Sequence, residues 1–400
     1  MPTARQTYLD WLRIGAIIGV LFFHSAMPFV AEWEWHIKNA ETSNLLMECN
    51  FFLSRFRMPL LFFISGAVAY YILQRKTTGQ FISIRFKRLF IPLVAGMLLT
   101  VPIQVYMERL TQGFTGGFWA FYSTIFTTGP YPTGNFSWHH LWFIAYLFVY
   151  DVALAPLFKK IMVHKERFPV FNWLAKGARI YLLIVPSVVG YALLTLRFPQ
   201  THDLINDWCG LLYWFFFLLV GFICACFSPL LDSLERNRRL SLAIGFGTLV
   251  FINYLRWNRL EPDNIFVNWQ TDVRTYLYLS VYAITAWSWV FALIGYGKRY
   301  LNRKSPVLSY INEAVYPFYI LHQTVIVVIA YYVVQTTDTI LLKYGFVVLA
   351  SFLSSMVIYH VFIRPVSFLR FLFGVKPLER KAAAVKEEKP VVPPALPLPV

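Results

Sequence analysis

The chain has 400 residues, of which 58% are hydrophobic, 19% aromatic and only 14% charged, and its mean hydropathy is +0.54. A soluble domain has a lower apolar share and close to a quarter of charged residues, so this composition excludes an ordinary soluble globule. The net charge is +16, but the basic residues are spread over many loops, which argues against a nucleic-acid partner. The composition predicts a polytopic membrane protein.

About ten apolar runs approach the length of roughly 17 to 25 residues that a helix needs to cross a hydrocarbon core of about 30 Å. In chain order they lie near Leu12–Val30, Phe51–Leu73, Leu89–Met107, Leu141–Phe158, Ile180–Leu196, Trp208–Phe227, Leu240–Leu255, Tyr276–Tyr296, Ala314–Val334 and Gly345–Ile363. The predicted fold is an all-α integral membrane protein, a bundle of about ten transmembrane helices.

Lys and Arg are distributed unevenly between the loops, and their excess marks the cytoplasmic side of a membrane protein. The loops after the second, fourth, sixth and eighth runs hold 18 of them, whereas the other loops hold seven. Both termini are therefore predicted to be cytoplasmic. Residues 1–376 form one predicted transmembrane domain, and residues 377–400, rich in charge, Ala and Pro, are predicted to be a disordered cytoplasmic tail.

The first run carries Arg13 at its start and His24 well inside it. An ionisable side chain within a membrane span is costly and by default marks a functional site. With a rise of 1.5 Å per residue, His24 lies at a depth similar to that of Arg55 and Arg57 in the second run. Residues two apart do not share a helix face, so these arginines have different partners or the helix is distorted near Pro59.

Each of these residues has a structural alternative. The two arginines could extend to the outer headgroups, and His24 could be a packed histidine bonded to a carbonyl group. Asp151, near the midplane of the fourth run, needs a partner, and a structural bond to a tyrosine or arginine is favoured over catalysis.

The ninth run carries a polar stripe at helical spacing, which should face the interior of the bundle. Its members are Asn312, Tyr316, Tyr319, His322 and Gln323. Hydrogen bonding between helices and contact with a substrate are equal alternatives for this stripe.

Four segments resemble motifs of the membrane acyltransferase 3 family. Arg13, ten further residues and His24 resemble the Arg/Lys-x10-His signature, and Arg55-Phe56-Arg57 resembles the Arg-x-Arg motif. The segments 140–143 (His-Leu-Trp-Phe) and 316–322 (Tyr-Pro-Phe-Tyr-Ile-Leu-His) also fit. The resemblance covers about residues 8–364, with the four motifs in the family order.

The resemblance implies a multi-pass O-acyltransferase of the bacterial inner membrane. Such an enzyme moves an acetyl or succinyl group from cytosolic acyl-CoA to a hydroxyl of an extracytoplasmic glycan, and segments 35–41 and 369–377 look most like a branch that acylates periplasmic glucans. Acyl-CoA is then a co-substrate, and no permanently bound cofactor is expected. The four cysteines have no metal-ligand spacing, so no metal site is predicted. The implied partners are acyl-CoA, the glycan and membrane lipid.

Acyl transfer needs a base for the alcohol proton and donors for the developing oxyanion. The resemblance assigns catalysis to His24, Arg55 and Arg57, and whether His24 is a base or a transient acyl carrier is open. Arg13 and Asp10 are the predicted coenzyme A contacts. The predicted substrate contacts are His140, Trp142, Tyr316, Tyr319 and His322.

The alternative function is a secondary transporter that uses the buried histidine and arginines as a proton or anion relay. Transporters usually show repeated halves with broken helices, and no repeat is visible in this sequence. The sequence therefore favours the enzyme.

Overall fold

The computed structural model describes residues 6–377, which form a helical bundle. Ten helices follow the predicted runs: α1 (Thr7–Phe29), α2 (Asn44–Leu73), α3 (Thr78–Thr111), α4 (His139–Val163), α5 (Arg179–Leu194), α6 (Trp208–Cys226), α7 (Arg238–Trp257), α8 (Val273–Tyr300), α9 (Pro306–Val333) and α10 (Ile340–Ile363). All except α5 belong to helical segments that are long and apolar enough to span a membrane. Residues 378–400 of the predicted tail lie outside the described residues.

Several of these helices contain local changes of winding. α1 ends in a 3₁₀ turn at Met27–Phe29, α4 begins with one at His139–Leu141, and α10 ends in a π-helical turn at Tyr359–Ile363. A π-helical turn at Phe86–Phe90 also interrupts α3. Shorter helices in the connections are Phe118–Thr124, Lys165–Arg167, Val170–Leu174, Pro229–Arg236, Pro262–Ile265 and Ser367–Leu372.

α5 is shorter than the others, yet it connects opposite ends of the bundle. It begins with six 3₁₀ residues, which rise about 2.0 Å each, and continues with ten α-helical residues, so it is about 27 Å long. Before α5, the Ala175 carbonyl accepts a hydrogen bond from Arg236 (2.7 Å); after it, the His202 carbonyl accepts one from Trp138 (2.9 Å). This path agrees with a tenth crossing, and the side on which the termini lie stays a prediction.

The second helix starts earlier than the sequence pattern predicts. α2 begins at Asn44, seven residues before the predicted start at Phe51, because the Ser43 hydroxyl caps it by accepting a hydrogen bond from the Leu46 backbone N–H at 3.3 Å. Pro59 lies inside α2 without ending it. The arginines of this helix therefore lie about three turns from its start, and their depth in the membrane stays a prediction.

α2 and α6 pack backbone against backbone in the centre of the bundle. A methyl group on Gly66 would lie 1.9 Å from the carbonyl oxygen of Leu218, and one on Gly221 would lie 2.0 Å from that of Phe63. Only glycine fits at such a crossing, and small residues allow this close approach in membrane helices generally. The crossing fixes the orientation of α2, which carries Arg55 and Arg57.

A buried ion pair joins α3 to α4. The Arg85 Nε atom lies 2.9 Å from the fully buried carboxylate of Asp151. The arginine partner predicted for Asp151 is therefore confirmed. Arg85 is one of the basic residues that the sequence pattern assigns to the loop after the second run; it lies instead in α3, which begins at Thr78, and it is buried.

This ion pair should stabilise the fold. Asp151→Asn leaves the Arg85 charge buried without a countercharge, which typically costs about 3–5 kcal/mol. We expect thermal unfolding of the purified protein in detergent to shift down by several degrees. The double variant Arg85→Met/Asp151→Leu removes both charges and should recover most of the loss. Asp272→Asn, in an exposed pair, is the control; an Asp151→Asn protein as stable as this control would contradict the prediction.

Candidate active site

His24 and His322 meet between α1 and α9. The Nδ1 atom of His24 lies 2.9 Å from the Nε2 atom of His322, across 298 positions of sequence. The two rings are nearly parallel, with centroids 5.1 Å apart. His322 is fully buried, and His24 is partly buried. Two helices that are distant in sequence thus place two imidazoles in direct contact inside the bundle.

The hydrogen bonds determine which nitrogen of each ring carries a proton. His322 Nδ1 lies 2.6 Å from the backbone carbonyl of Tyr319, which can only accept, so Nδ1 of His322 is the donor. In the neutral ring, Nε2 of His322 is then an acceptor, and it accepts from Nδ1 of His24. This assignment leaves Nε2 of His24 unprotonated. His24 therefore has the form of a base, and His322 holds it in that form.

Arg57 lies beside the histidine pair. Its guanidinium stacks over the ring of Phe23, with the central carbon 3.5 Å from the ring centroid. The charge of Arg57 acts on His24, His322 and Tyr319. Its Nε is buried and lacks a hydrogen-bond partner among residues 6–377. A buried donor of this kind is available to a substrate oxygen.

Arg55 points to a different part of the bundle. Its Nε and Nη2 atoms donate to the hydroxyl of Ser54 at 3.0 and 2.9 Å, and its guanidinium lies over the rings of Phe51 and Tyr282. The structure thus gives the two arginines different partners, which is one of the two alternatives that the sequence spacing left open. It brings Arg57 to the histidine pair and leaves Arg55 on the face towards α8.

Hydrogen bonds between α4 and α9 hold the residues that surround His322. His140 Nε2 donates to the carbonyl of Ile320 at 3.1 Å, and the Tyr319 hydroxyl donates to the carbonyl of His140. The rings of His140 and His322 are perpendicular, with centroids 5.1 Å apart. His140 and Tyr319, both predicted substrate contacts, thus join α4 to α9 and bring their rings next to His322.

An aromatic pair, Trp142 and His202, lies near these residues. The ring of Trp142 stacks on that of His202, with centroids 4.2 Å apart. Burial, together with the nearby charge of Arg57, lowers the pKa of His202 to about 4. Sequence reasoning missed His202, because it is an isolated histidine in a loop with no motif around it. Only the fold places it over Trp142 and near Arg57.

Arg13 lies towards the opposite end of the bundle. Its Nη2 atom donates to the side-chain oxygen of Asn312 at 2.7 Å and lies 3.4 Å from a carboxylate oxygen of Asp10. Along α1, Arg13 is about 16 Å from His24. On the same side of α9, the Tyr316 hydroxyl is buried and lacks a hydrogen-bond partner among the described residues. Arg13 and Asp10, which are predicted to bind coenzyme A, are thus separate from the histidine pair.

Comparisons with known proteins identify the family of this chain. A family model described as "Acyltransferase domain", that of acyltransferase 3, matches residues 6–360. Glucans biosynthesis protein C of Escherichia coli strain SMS-3-5 is 24% identical over 401 residues, covering 95% of this chain and 97% of the relative. The protein of the same name from strain K12 is 23% identical with the same coverage. No solved structure matches the chain. The chain belongs to the acyltransferase 3 family and is a multi-pass membrane acyltransferase.

Proposed function

We propose that this acyltransferase moves a succinyl or acetyl group from cytosolic acyl-CoA to a hydroxyl of an extracytoplasmic glucan at the bacterial inner membrane. The relatives named Glucans biosynthesis protein C support the glucan acceptor. The observation that carries the proposal is the hydrogen bond between His24 and His322, because it leaves an unprotonated nitrogen near Arg57.

His24 acts as the general base in this proposal. Its Nε2 atom takes the proton of the acceptor hydroxyl while the hydroxyl oxygen attacks the carbonyl carbon of the thioester. The resulting positive charge on His24 is stabilised through Nδ1, which donates to His322. His322 is in turn fixed by the carbonyl of Tyr319. In hydrolases, an orienting partner holds the catalytic histidine in the same way.

Arg57 stabilises the oxyanion that forms when the hydroxyl attacks. A preorganised cationic donor in a water-poor site is effective here, because the charge develops only in the transition state. The intermediate then collapses: the carbon–sulfur bond breaks, and the coenzyme A thiolate leaves and takes the proton from His24. The products are the acylated glucan and free coenzyme A, with no net gain or loss of protons.

The long pantetheine arm of coenzyme A would extend along α1 from Arg13 to the histidine pair. Arg13 is suited to a phosphate group, since a guanidinium binds phosphate through parallel hydrogen bonds. Asn312 and Asp10 both contact the Nη2 atom of Arg13 and so help to orient its guanidinium. The thioester then reaches the histidine pair about 16 Å further along α1.

The histidine pair gives the most direct prediction. His24→Ala should lower kcat by about 10²- to 10⁴-fold, the usual effect of removing a positioned base, while acyl-CoA binding is retained. His322→Ala should lower kcat at least tenfold, roughly, with little change in KM, because it acts through His24. His360→Ala, an exposed histidine of α10, is the control. Acyl transfer to glucan is measured with labelled acyl-CoA, per folded molecule.

Two results would change this assignment. Near-normal turnover of His24→Ala would remove the base role. An acyl adduct trapped on His24 in the wild-type protein would instead make this histidine the nucleophile.

The two arginines of α2 should differ in their effects. Arg57→Ala should lower kcat by about 10²-fold or more, the usual cost of removing an oxyanion donor. Arg55→Ala should lower kcat much less, because Arg55 contacts Ser54, Phe51 and Tyr282 and lies apart from the histidine pair. Equal losses in both variants, measured in the same transfer assay, would contradict the assignment of the oxyanion to Arg57.

Arg13 should affect the binding of the acyl-CoA donor. Arg13→Ala is expected to raise the KM for acyl-CoA about tenfold or more, and Arg13→Lys should also raise it, because Lys cannot form the paired hydrogen bonds. Arg303→Ala removes a positive charge from the neighbouring loop and is the matched control. An unchanged KM in Arg13→Ala would exclude Arg13 from donor binding.

A further inference from the structure

Three side chains of the types that bind metal ions lie close together outside the histidine pair. They are His36 in the segment after α1, Glu108 in the last turn of α3 and His139 at the first residue of α4. One nitrogen or oxygen atom of each lies within 4.8 Å of the others. We propose that this cluster binds a divalent transition-metal ion of the zinc class. The proposal rests on this geometry and is independent of the proposed acyl transfer.

Glu108 is held in place by its neighbours. Its carboxylate accepts hydrogen bonds from His36 Nδ1, from the Tyr131 hydroxyl at 3.1 Å and from the Gln112 amide at 3.2 Å. The side chains of His36 and Glu108 are only 8% and 7% exposed. This is a preorganised carboxylate with orienting partners, as metal ligands commonly have.

His139 is turned towards the same point at a cost in backbone conformation. Its φ angle is +40°, in the left-handed region that few residues other than glycine adopt, and its backbone N–H donates to the Ser137 hydroxyl at 3.0 Å. The ring of His139 packs against that of His36, with centroids 4.6 Å apart. Its Nε2 atom is buried and lacks a hydrogen-bond partner among the described residues. A metal ion is the partner that this donor set favours.

The chemistry of the donors selects the ion. Two imidazole nitrogens and one carboxylate oxygen are a common set for zinc with a fourth, open position. Calcium and magnesium prefer oxygen ligands, so the two histidines argue against them. His36 Nδ1 now donates to the Glu108 carboxylate; an ion bound through both groups would replace this hydrogen bond.

The cluster lies close to the active site. His36 lines a pocket of about 540 Å³, which Lys38 and Tyr331 also line. His36 Nε2 lies 3.3 Å from the side-chain amide of Gln323, which adjoins His322 in α9. A bound ion would therefore fix the ends of α3 and α4 next to the helix that orients His24.

Cobalt binding tests the proposal. The full-length protein in detergent, stripped with a chelator, is titrated with Co²⁺, whose visible absorption is intense in a four-coordinate site of this kind. We expect one site per chain and displacement of cobalt by Zn²⁺. His139→Asn, which tolerates the positive φ, and Glu108→Gln should each weaken cobalt binding by roughly tenfold or more. Zn²⁺ should also raise the unfolding temperature of the wild-type protein but not of these variants.

His164→Asn is the matched control, because the pair of His164 and Glu166 is exposed and has no third ligand within the described residues. Its cobalt binding should equal that of the wild-type protein. Absence of the cobalt band at a one-to-one ratio, or unchanged binding in folded His139→Asn, would overturn the proposal. An inactive protein that still binds cobalt would count against the acyl-transfer proposal alone.

Discussion

The hydrogen bond between His24 and His322 is the constraint on which the site depends. A lone histidine within a membrane bundle has two neutral forms, and only the form with an unprotonated nitrogen towards the substrate can act as a base. The carbonyl of Tyr319 selects the form of His322, and His322 selects that of His24. The position of α9 therefore determines which nitrogen of His24 carries the proton, and this is the basis of the proposed chemistry.

The packing of the bundle keeps this relation in place. The glycine crossing between α2 and α6 fixes the helix that carries Arg57. The ring of Phe23, next to His24 on α1, stacks on the Arg57 guanidinium. Hydrogen bonds between α4 and α9 hold the ring of His140 against that of His322. Small residues and backbone acceptors determine how these helices pack against one another. Large apolar areas do so less, because lipid tails compete for apolar contacts.

The sequence predicted most of the framework, because apolar runs and buried charges are strong signals. The arginine partner of Asp151 was predicted in this way. The catalytic roles of His24 and Arg57, which the family motifs imply, stay predictions. The predicted starts of helices were less accurate, since the cap at Ser43 lets α2 begin before the predicted residue. The contact of His322 with His24, the place of His202 and the cluster of His36, Glu108 and His139 depend on segments far apart in the chain. No spacing in the sequence reports such contacts.

The protonation state of His24 tests the central claim most directly. Solid-state NMR of protein with ¹⁵N-labelled histidine in lipid, with His24→Gln and His322→Gln for assignment, distinguishes protonated from unprotonated ring nitrogens. Near neutral pH we predict that both histidines are neutral, with protons on Nδ1, and that a hydrogen bond couples Nδ1 of His24 to Nε2 of His322. A proton on Nε2 of His24, or the absence of this coupling, would contradict the account.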